Sequence, residues 1–201
     1  MKGDTAFFFG QWMGAPGTTG AVAPSSARLA AAVTAPLPAR GEPLVVELGP
    51  GTGAFSAEIQ HRLAGRGRHL AIEVNPLMAD FLTHRYPRTE VIVDDATRLA
   101  KLMEERGLSE ADLIVSGLPF AAFDAERQRR LVDAVASCMG PMSAFTTFGY
   151  SFARLSPPAA RFRRLLGEIF EEVVTSRTVW RNVPPAFVYS ARRPREAEVR
   201  G

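Results

Sequence analysis

The run Val45-Val46-Glu47-Leu48-Gly49-Pro50-Gly51-Thr52-Gly53-Ala54-Phe55 decides the fold. It passes from an apolar stretch through three alternate glycines into a helical pattern, so it reads as strand, tight loop and helix start. Glycines leave the main chain bare. A ligand can then lie directly against backbone N–H groups at the positive end of a helix, which suits a carboxylate or a phosphate. Gly49, Gly51 and Ala54 also satisfy the spacing of a dinucleotide loop, whose last position admits Gly or Ala. The loop by itself leaves the nucleotide open. The additional Gly53, the acidic Glu47 at the strand end and further acids along the chain weigh against the dinucleotide reading.

Outward from this loop, short apolar runs alternate with amphipathic stretches from Leu44 onward, the pattern of strand–helix units around a mostly parallel sheet. Strands are predicted at Leu44–Leu48, His69–Val74, Glu90–Val93, Asp112–Ser116, Ala144–Gly149, Val173–Val179 and Phe187–Ala191. Helices are predicted at Ala54–Leu63, Leu77–Arg85, Arg98–Arg106, Ala125–Met139 and Ala159–Leu166, where apolar positions recur three to four residues apart. Asn75-Pro76 and Ser156-Pro157-Pro158 fit helix starts, because proline is tolerated in a first turn. No helical pattern separates the last two strands, and Asn182-Val183-Pro184-Pro185 supplies the turn chemistry of an antiparallel hairpin. The predicted fold is α/β: a Rossmann-like, seven-stranded, mostly parallel sheet with helices on both faces and a C-terminal antiparallel hairpin. Residues 1–43 read as an N-terminal segment covering the ligand site, with an Ala-rich helix capped by Ser25 or Ser26 and a Pro-rich linker from Ala35 to Pro43. Residues 44–195 form the main domain and 196–201 a tail.

With 46% apolar and 22% charged residues in 201, the chain has the balance of one folded domain, which excludes a disordered or fibrous protein. A core of this size needs neither disulfide nor metal. Cys138 is the single cysteine, which excludes an intrachain disulfide or thiolate cluster and points to a reducing cytosol. His61, His69 and His84 are too scattered for ligand spacing, so no metal is expected. Phe7, Phe8, Phe9, Trp12 and Met13 form an aromatic block that Gly10, Gln11 and Gly14 break well short of the ~20 residues of a membrane span. The block reads either as a contact with a membrane interface or as a helix packed on its own domain.

Glu73 follows Gly53 by 20 residues, at the end of the second strand, where a carboxylate accepts both ribose hydroxyls of a nucleoside. Asp95-Ala96 follows the third strand, placed to accept from the exocyclic amine of adenine. Each acid has an alternative use as a helix cap. Glu47, Glu73 and Asp95 together, at three successive strand ends on one side, favour a nucleoside pocket at the carboxyl edge of the sheet.

In order, Glu47-Leu48-Gly49-Pro50-Gly51-Thr52-Gly53, Glu73 and Asp95-Ala96 resemble the class I S-adenosylmethionine-dependent methyltransferases. Within that class, Thr19-Gly20-Ala21-Val22-Ala23-Pro24-Ser25-Ser26, Ser116-Gly117-Leu118-Pro119 and Arg181-Asn182-Val183-Pro184-Pro185-Ala186 resemble the bacterial phospholipid N-methyltransferases, which methylate phosphatidylethanolamine toward phosphatidylcholine. The likeness covers nearly the whole chain. It implies S-adenosylmethionine as cofactor and S-adenosylhomocysteine as product, with Gly49, Gly51 and Gly53 close to the methionine moiety and Glu47 and Ser116 also at the cofactor. It further implies that Glu73 binds the ribose, that Asp95 and Ala96 hold the adenine, and that the catalytic stretch Ser116, Gly117, Leu118 and Pro119 faces the transferred methyl.

Ribosomal RNA adenine dimethyltransferases share the cofactor motifs but grip a flipped base with an Asn-(Leu or Pro)-Pro-(Tyr or Phe) tetrad. Ser116 stands at the Asn position, so the hydrogen bond that orients an adenine amine is missing, although Phe120 can still stack on a planar or cationic group. An ethanolamine amine is mostly protonated at neutral pH and must shed a proton before it attacks; the sequence names no base. Tyr150, closing the fifth strand, is placed to meet the amine through its hydroxyl or its ring, the alternative being an ordinary core aromatic. Arg154 and Arg181 are the candidates for a headgroup phosphate, since guanidinium forks match its oxygens, while many arginines in this chain are simply solvated. The net charge of +3 and the isoelectric point near 9.5 suit an anionic bilayer as well as RNA. The expected setting is cytoplasmic and peripheral to a membrane, with a phospholipid substrate and no obligate protein partner. The alternatives are an RNA adenine methyltransferase, a methyltransferase of a small soluble amine, and a cofactor-binding protein without an acceptor site.

Overall fold

The computed structural model describes residues 25–195. Leu44–Leu48 (β1) is buried at every position, as a strand covered on both faces requires. It pairs in parallel with Arg68–Glu73 (β2) and Ala111–Ser116 (β4); β2 pairs with Thr89–Val93 (β3), and β4 with Met139–Tyr150 (β5), also in parallel. Phe170–Thr175 (β6) and Ala186–Pro194 (β7) form the antiparallel hairpin, and β7 inserts between β5 and β6 to give the order β3-β2-β1-β4-β5-β7-β6.

Among the described residues, six helices cover the sheet: Ala27–Val33 (α1), Ala54–Leu63 (α2), Pro76–Arg85 (α3), Leu99–Glu104 (α4), Ala125–Ala136 (α5) and Pro157–Ile169 (α6). Successive β1 residues point to opposite faces. Val45 meets Leu29, Val33, Phe55 and Ile59 of α1 and α2, whereas Val46 and Leu48 meet the core built on α4, α5 and α6 through Leu99, Leu131 and Leu166. Each such buried side chain contributes about 1.5–3 kcal/mol relative to exposure. α1 lies within the segment assigned to the N-terminus, yet Leu29, Ala30 and Val33 are buried, and Thr146 Oγ1 donates to the Val33 carbonyl at 2.7 Å. The helix is part of the core. The aromatic block at 7–13 and the tail at 196–201 lie outside the described residues.

Side chains satisfy the orphan N–H groups at the helix starts. Asn75 accepts from Leu77 and Met78 ahead of Pro76, Ser156 accepts from Ala159, and Ser26 rather than Ser25 caps α1. Several elements differ from their predicted bounds, four of them for identifiable local reasons. β5 starts at Met139, so α5 stops at Ala136, and a register shift between Ala111 and Leu113 absorbs the Gly140–Ser143 segment that interrupts the apolar pattern. β6 starts at Phe170 instead of Val173, with no loop after α6, because Phe170 is itself extended at φ −114° and ψ 147°. Its Glu171 and Glu172 hid the strand; they are exposed because β6 is the sheet edge. Finally, Ala96–Arg98 forms a 3₁₀ turn ahead of α4, which shortens that helix to Leu99–Glu104.

Candidate active site

The parallel strands deliver Leu48, Glu73, Val93 and Ser116 to one edge of the sheet. There Gly49, Gly51 and Gly53 adopt φ of 65°, 56° and 83°, the left-handed region in which a side chain is strained. The loop is laid against the tetrad that follows β4. Gly117 donates its N–H to the Leu48 carbonyl at 2.8 Å, and a Cβ on Gly117 would sit 2.5 Å from the Gly49 carbonyl oxygen. A Cβ on Gly49 would in turn meet Leu118 Cδ2 at 2.6 Å. The seam between the two loops thus leaves no room for a side chain at Gly49 or at Gly117.

Glu73 is buried and bridges two loops: its Oε2 accepts from the Gly51 N–H at 3.1 Å and its Oε1 from the Asn75 N–H at 2.9 Å. Each carboxylate oxygen keeps a second lone pair, so a ribose diol can donate to both. Asp95 does what a cap does: Oδ1 accepts from the Thr97 N–H and Oγ1, each at 2.9 Å, and Oδ2 from Arg127 Nη2 at 3.1 Å. Burial pushes its pKa up, but the Thr97 hydrogen bonds and the Arg127 charge outweigh it and hold the carboxyl below its ordinary range. Ala96 is buried at the start of the same turn. Glu47 turns toward α2: its Oε2 accepts from Ser56 Oγ at 2.6 Å and lies 3.1 Å from His69 Nε2. Its Oε1 is buried without a hydrogen-bond partner among the described residues.

The acceptor side is built by the tetrad and β5. Ser116 is fully buried; its hydroxyl accepts from the Leu118 N–H at 3.2 Å and its carbonyl from Thr147 Oγ1 at 3.1 Å. The Leu118 and Pro119 carbonyls accept from Phe120 and Ala122. No loop or side-chain donor among the described residues reaches the Gly117 carbonyl. Ser116 is level with Thr147, so Tyr150 stands ~10 Å further along the strand direction. Beside it lies a small cleft of about 30 Å³ walled by Phe120, Phe148, Tyr150, Phe162, Phe187 and Tyr189, with Arg154 at its side.

Tyr150 stacks on Phe152 with centroids 5.7 Å apart and meets Phe148 edge-on. Burial pushes its phenol up to about 12, so the group stays neutral near pH 7 and does not act as a phenolate base. Phe120 is less available than its sequence position suggested: one face is stacked on Phe162 at 4.2 Å, and the side chain is buried. Arg154 lies over the Phe187 ring at 5.1 Å, an arrangement that holds a guanidinium at the cleft. Arg181 is exposed in the hairpin loop and does not line the cleft.

Several contributors escaped sequence reasoning because their contacts are long-range. Tyr86, at the end of α3, donates its hydroxyl to the Gly53 carbonyl at 3.0 Å, and its ring fills the space a Cβ on Gly53 would need. His69 joins Glu47, Gln60 and Thr89 in one buried network. Arg127 pairs with Asp95 across the edge of the sheet; no spacing rule flags it.

This geometry invites comparison with known proteins. The chain is 29% identical to the ornithine lipid N-methyltransferase of Singulisphaera acidiphila over 197 residues, covering 96% of this chain and 98% of the relative. Among solved structures, an S-adenosylmethionine-dependent O-methyltransferase from Thermotoga maritima superposes with a TM-score of 0.64 at 13% identity, covering 86% of this chain and 67% of its own. The fold is that of the S-adenosylmethionine-dependent methyltransferases. The magnesium protoporphyrin IX methyltransferase from Synechocystis with bound cofactor (TM-score 0.60, 13% identity, 83% of this chain, 76% of that chain) is a further neighbour. So is an N-methyltransferase from Bradyrhizobium japonicum (TM-score 0.59, 16% identity, 83% and 92%). No family model matches the sequence. These relatives support S-adenosylmethionine as the cofactor. The residues fit it: a loop bared of side chains, a buried carboxylate with lone pairs to spare and an orphaned acid oxygen at the strand end.

Proposed function

We propose that the protein transfers the methyl group of S-adenosylmethionine to the primary amine of a membrane lipid headgroup. The observation that carries this reading is the end-to-end similarity to an ornithine lipid N-methyltransferase. The site agrees with it. Ser116 replaces a base-gripping Asn and is consumed internally, which disfavours a nucleobase, and the cleft is walled by aromatic rings that suit an amine turning cationic as it is methylated. Phosphatidylethanolamine and an ornithine lipid both present such an amine. Arg154, a guanidinium at the cleft, suits the phosphodiester of the former, whereas the relative's substrate favours the latter.

In this mechanism Gly49, Gly51 and Gly53 pass the methionine part, Glu73 holds the ribose, and Ala96 lies at the adenine with Asp95, whose cap and ion pair shape that wall. The bound cofactor supplies an electrophilic methyl on a sulfonium. The chain's contribution is alignment in a dry pocket. The Gly117 carbonyl accepts an N–H of the neutral amine and points its lone pair across the seam, while the Tyr150 hydroxyl, neutral at working pH, offers a second polar contact. The test is transfer of labelled methyl to three acceptors in parallel: vesicles with phosphatidylethanolamine, vesicles with ornithine lipid, and ribosomal RNA. Label in lipid is expected; label in RNA alone overturns the proposal.

A further inference from the structure

Two loops lie beside the cleft and form a rim: residues 151–156 after β5, whose Ala153 and Arg154 line it, and residues 176–185 between β6 and β7. The loops are one structural unit. Tyr150 is level with Ala186, Ser151 donates its N–H to the Pro185 carbonyl at 2.8 Å, and Val179 bridges to Ala186. Four large apolar side chains stand out from this rim: Phe152, Leu155, Trp180 and Val183 are 77%, 92%, 76% and 71% exposed. Such a cluster on one face is the mark of an interaction surface rather than of scattered surface hydrophobes.

The charge around it has one sign. Residues 148–167 and 173–195 contain no acidic residue, although the chain as a whole carries 21 against 24 basic ones. Some arginines elsewhere are matched, Arg62 with Glu58, Arg98 with Asp94, Arg106 with Glu90 and Arg130 with Glu126, while others, such as Arg66 and Arg88, are not; what sets the rim apart is that its stretches of sequence hold no acid at all. Among the described residues, Arg154, Arg177 and Arg181 on the rim have no ion-pair partner within 4.0 Å. Apolar and aromatic tips ringed by unmatched guanidinium groups fit the boundary between lipid headgroups and acyl chains. A nucleic acid would use the charge but has no apolar layer for Leu155 and Val183.

We propose that this rim is the face by which the protein docks on an anionic bilayer, with Phe152, Leu155, Trp180 and Val183 entering the interfacial layer and Arg177 and Arg181 meeting acidic headgroups. The inference rests on the lipid-amine reading above and adds to it an entry route: the Tyr150 cleft faces the bilayer, so a headgroup reaches it without its acyl chains leaving the membrane. Ser26, the cap of α1, donates its N–H to Asn182 Oδ1 at 2.8 Å, which ties the start of that helix to the rim loop.

The test is co-sedimentation of the full chain with vesicles of phosphatidylethanolamine and phosphatidylglycerol, comparing wild type with Leu155→Ser/Trp180→Ser and with Arg177→Glu. The double variant is expected to lose at least tenfold in partitioning, and Arg177→Glu at least about fivefold, because each basic group near the surface is worth about that factor. Both should melt with the wild type and methylate a short-chain, water-soluble lipid of the same headgroup at the wild-type rate. Undiminished vesicle binding by both variants overturns the proposal. So does loss of binding only on deletion of residues 1–24, or a rim whose mutation splits a dimer without changing vesicle binding, or binding of the wild type to RNA and not to vesicles. Should no lipid be methylated while the rim variants still lose vesicle binding, the substrate assignment fails and the docking face stands.

Discussion

Replacing Gly117 by Ala tests the seam between the two loops. The new Cβ would lie 2.5 Å from the Gly49 carbonyl oxygen and 3.7 Å from that of Leu48, so the loops must part by about 0.9 Å to reach ordinary contact. The neighbour is backbone, held by the Gly49 N–H bond to the Ile72 carbonyl at 2.9 Å, and cannot swing aside as a side chain would. Overpacking of this kind costs about 1–3 kcal/mol, a fall in Tm of roughly 2–12 °C for a domain of this size. Displacement by nearly an ångström between donor and acceptor should lower turnover by about a hundredfold. Gly167→Ala is the control: in α6, with nothing within 4 Å of the added atom, it should raise stability by about 0.5–1 kcal/mol and leave turnover alone. Thermal melts, calorimetric cofactor titration and labelled-methyl turnover report on each variant. Wild-type affinity and turnover in Gly117→Ala would refute the claim that the reacting groups meet at this seam.

Glu73→Gln keeps one acceptor for the Gly51 and Asn75 amides while removing the charge, so it should weaken S-adenosylmethionine by about tenfold to a hundredfold, the worth of a charged hydrogen bond; unchanged affinity by calorimetry removes the ribose assignment. The Tyr150 phenol is raised, so it contributes stability that is complete below pH 10 and is lost as pH climbs through about 12; the ultraviolet titration of wild type minus Tyr150→Phe should show this late component, and a step near pH 10 contradicts its burial. Asp95 is held low by Thr97 and Arg127, so its stabilising share is present above about pH 4 and lost as pH falls through its folded value. Asp95→Asn should therefore flatten the acid limb of the Tm profile, and an unaltered limb would show the Arg127 pair to be inert.

The sequence made the sheet legible where local pattern and tertiary role coincide. β1 is apolar because it is covered on both faces, and the glycine loop after it is bare because the Leu118 side chain and the Gly117 main chain pack against it. The antiparallel close was visible in Asn182 to Pro185, whose turn chemistry acts locally. Where burial is decided from afar, the pattern misled: Glu171 and Glu172 disguise an edge strand, and the Gly140–Ser143 segment disguises the first residues of β5. The acids show the same division. Glu73 sits at its strand end as read, but no spacing could tell that Asp95 would be engaged by Arg127 from α5, or that Glu47 would turn to Ser56 and His69. Phe120 looked free for stacking until Phe162, 42 residues away in the chain, took its face.

A crystal structure of the full chain with S-adenosylhomocysteine tests the central claim most directly. The ribose hydroxyls should rest on Glu73 and the sulfur should lie at the Gly49–Gly117 seam, facing the Tyr150 cleft. A nucleoside bound elsewhere, or a sulfur turned away from Gly117, contradicts the account.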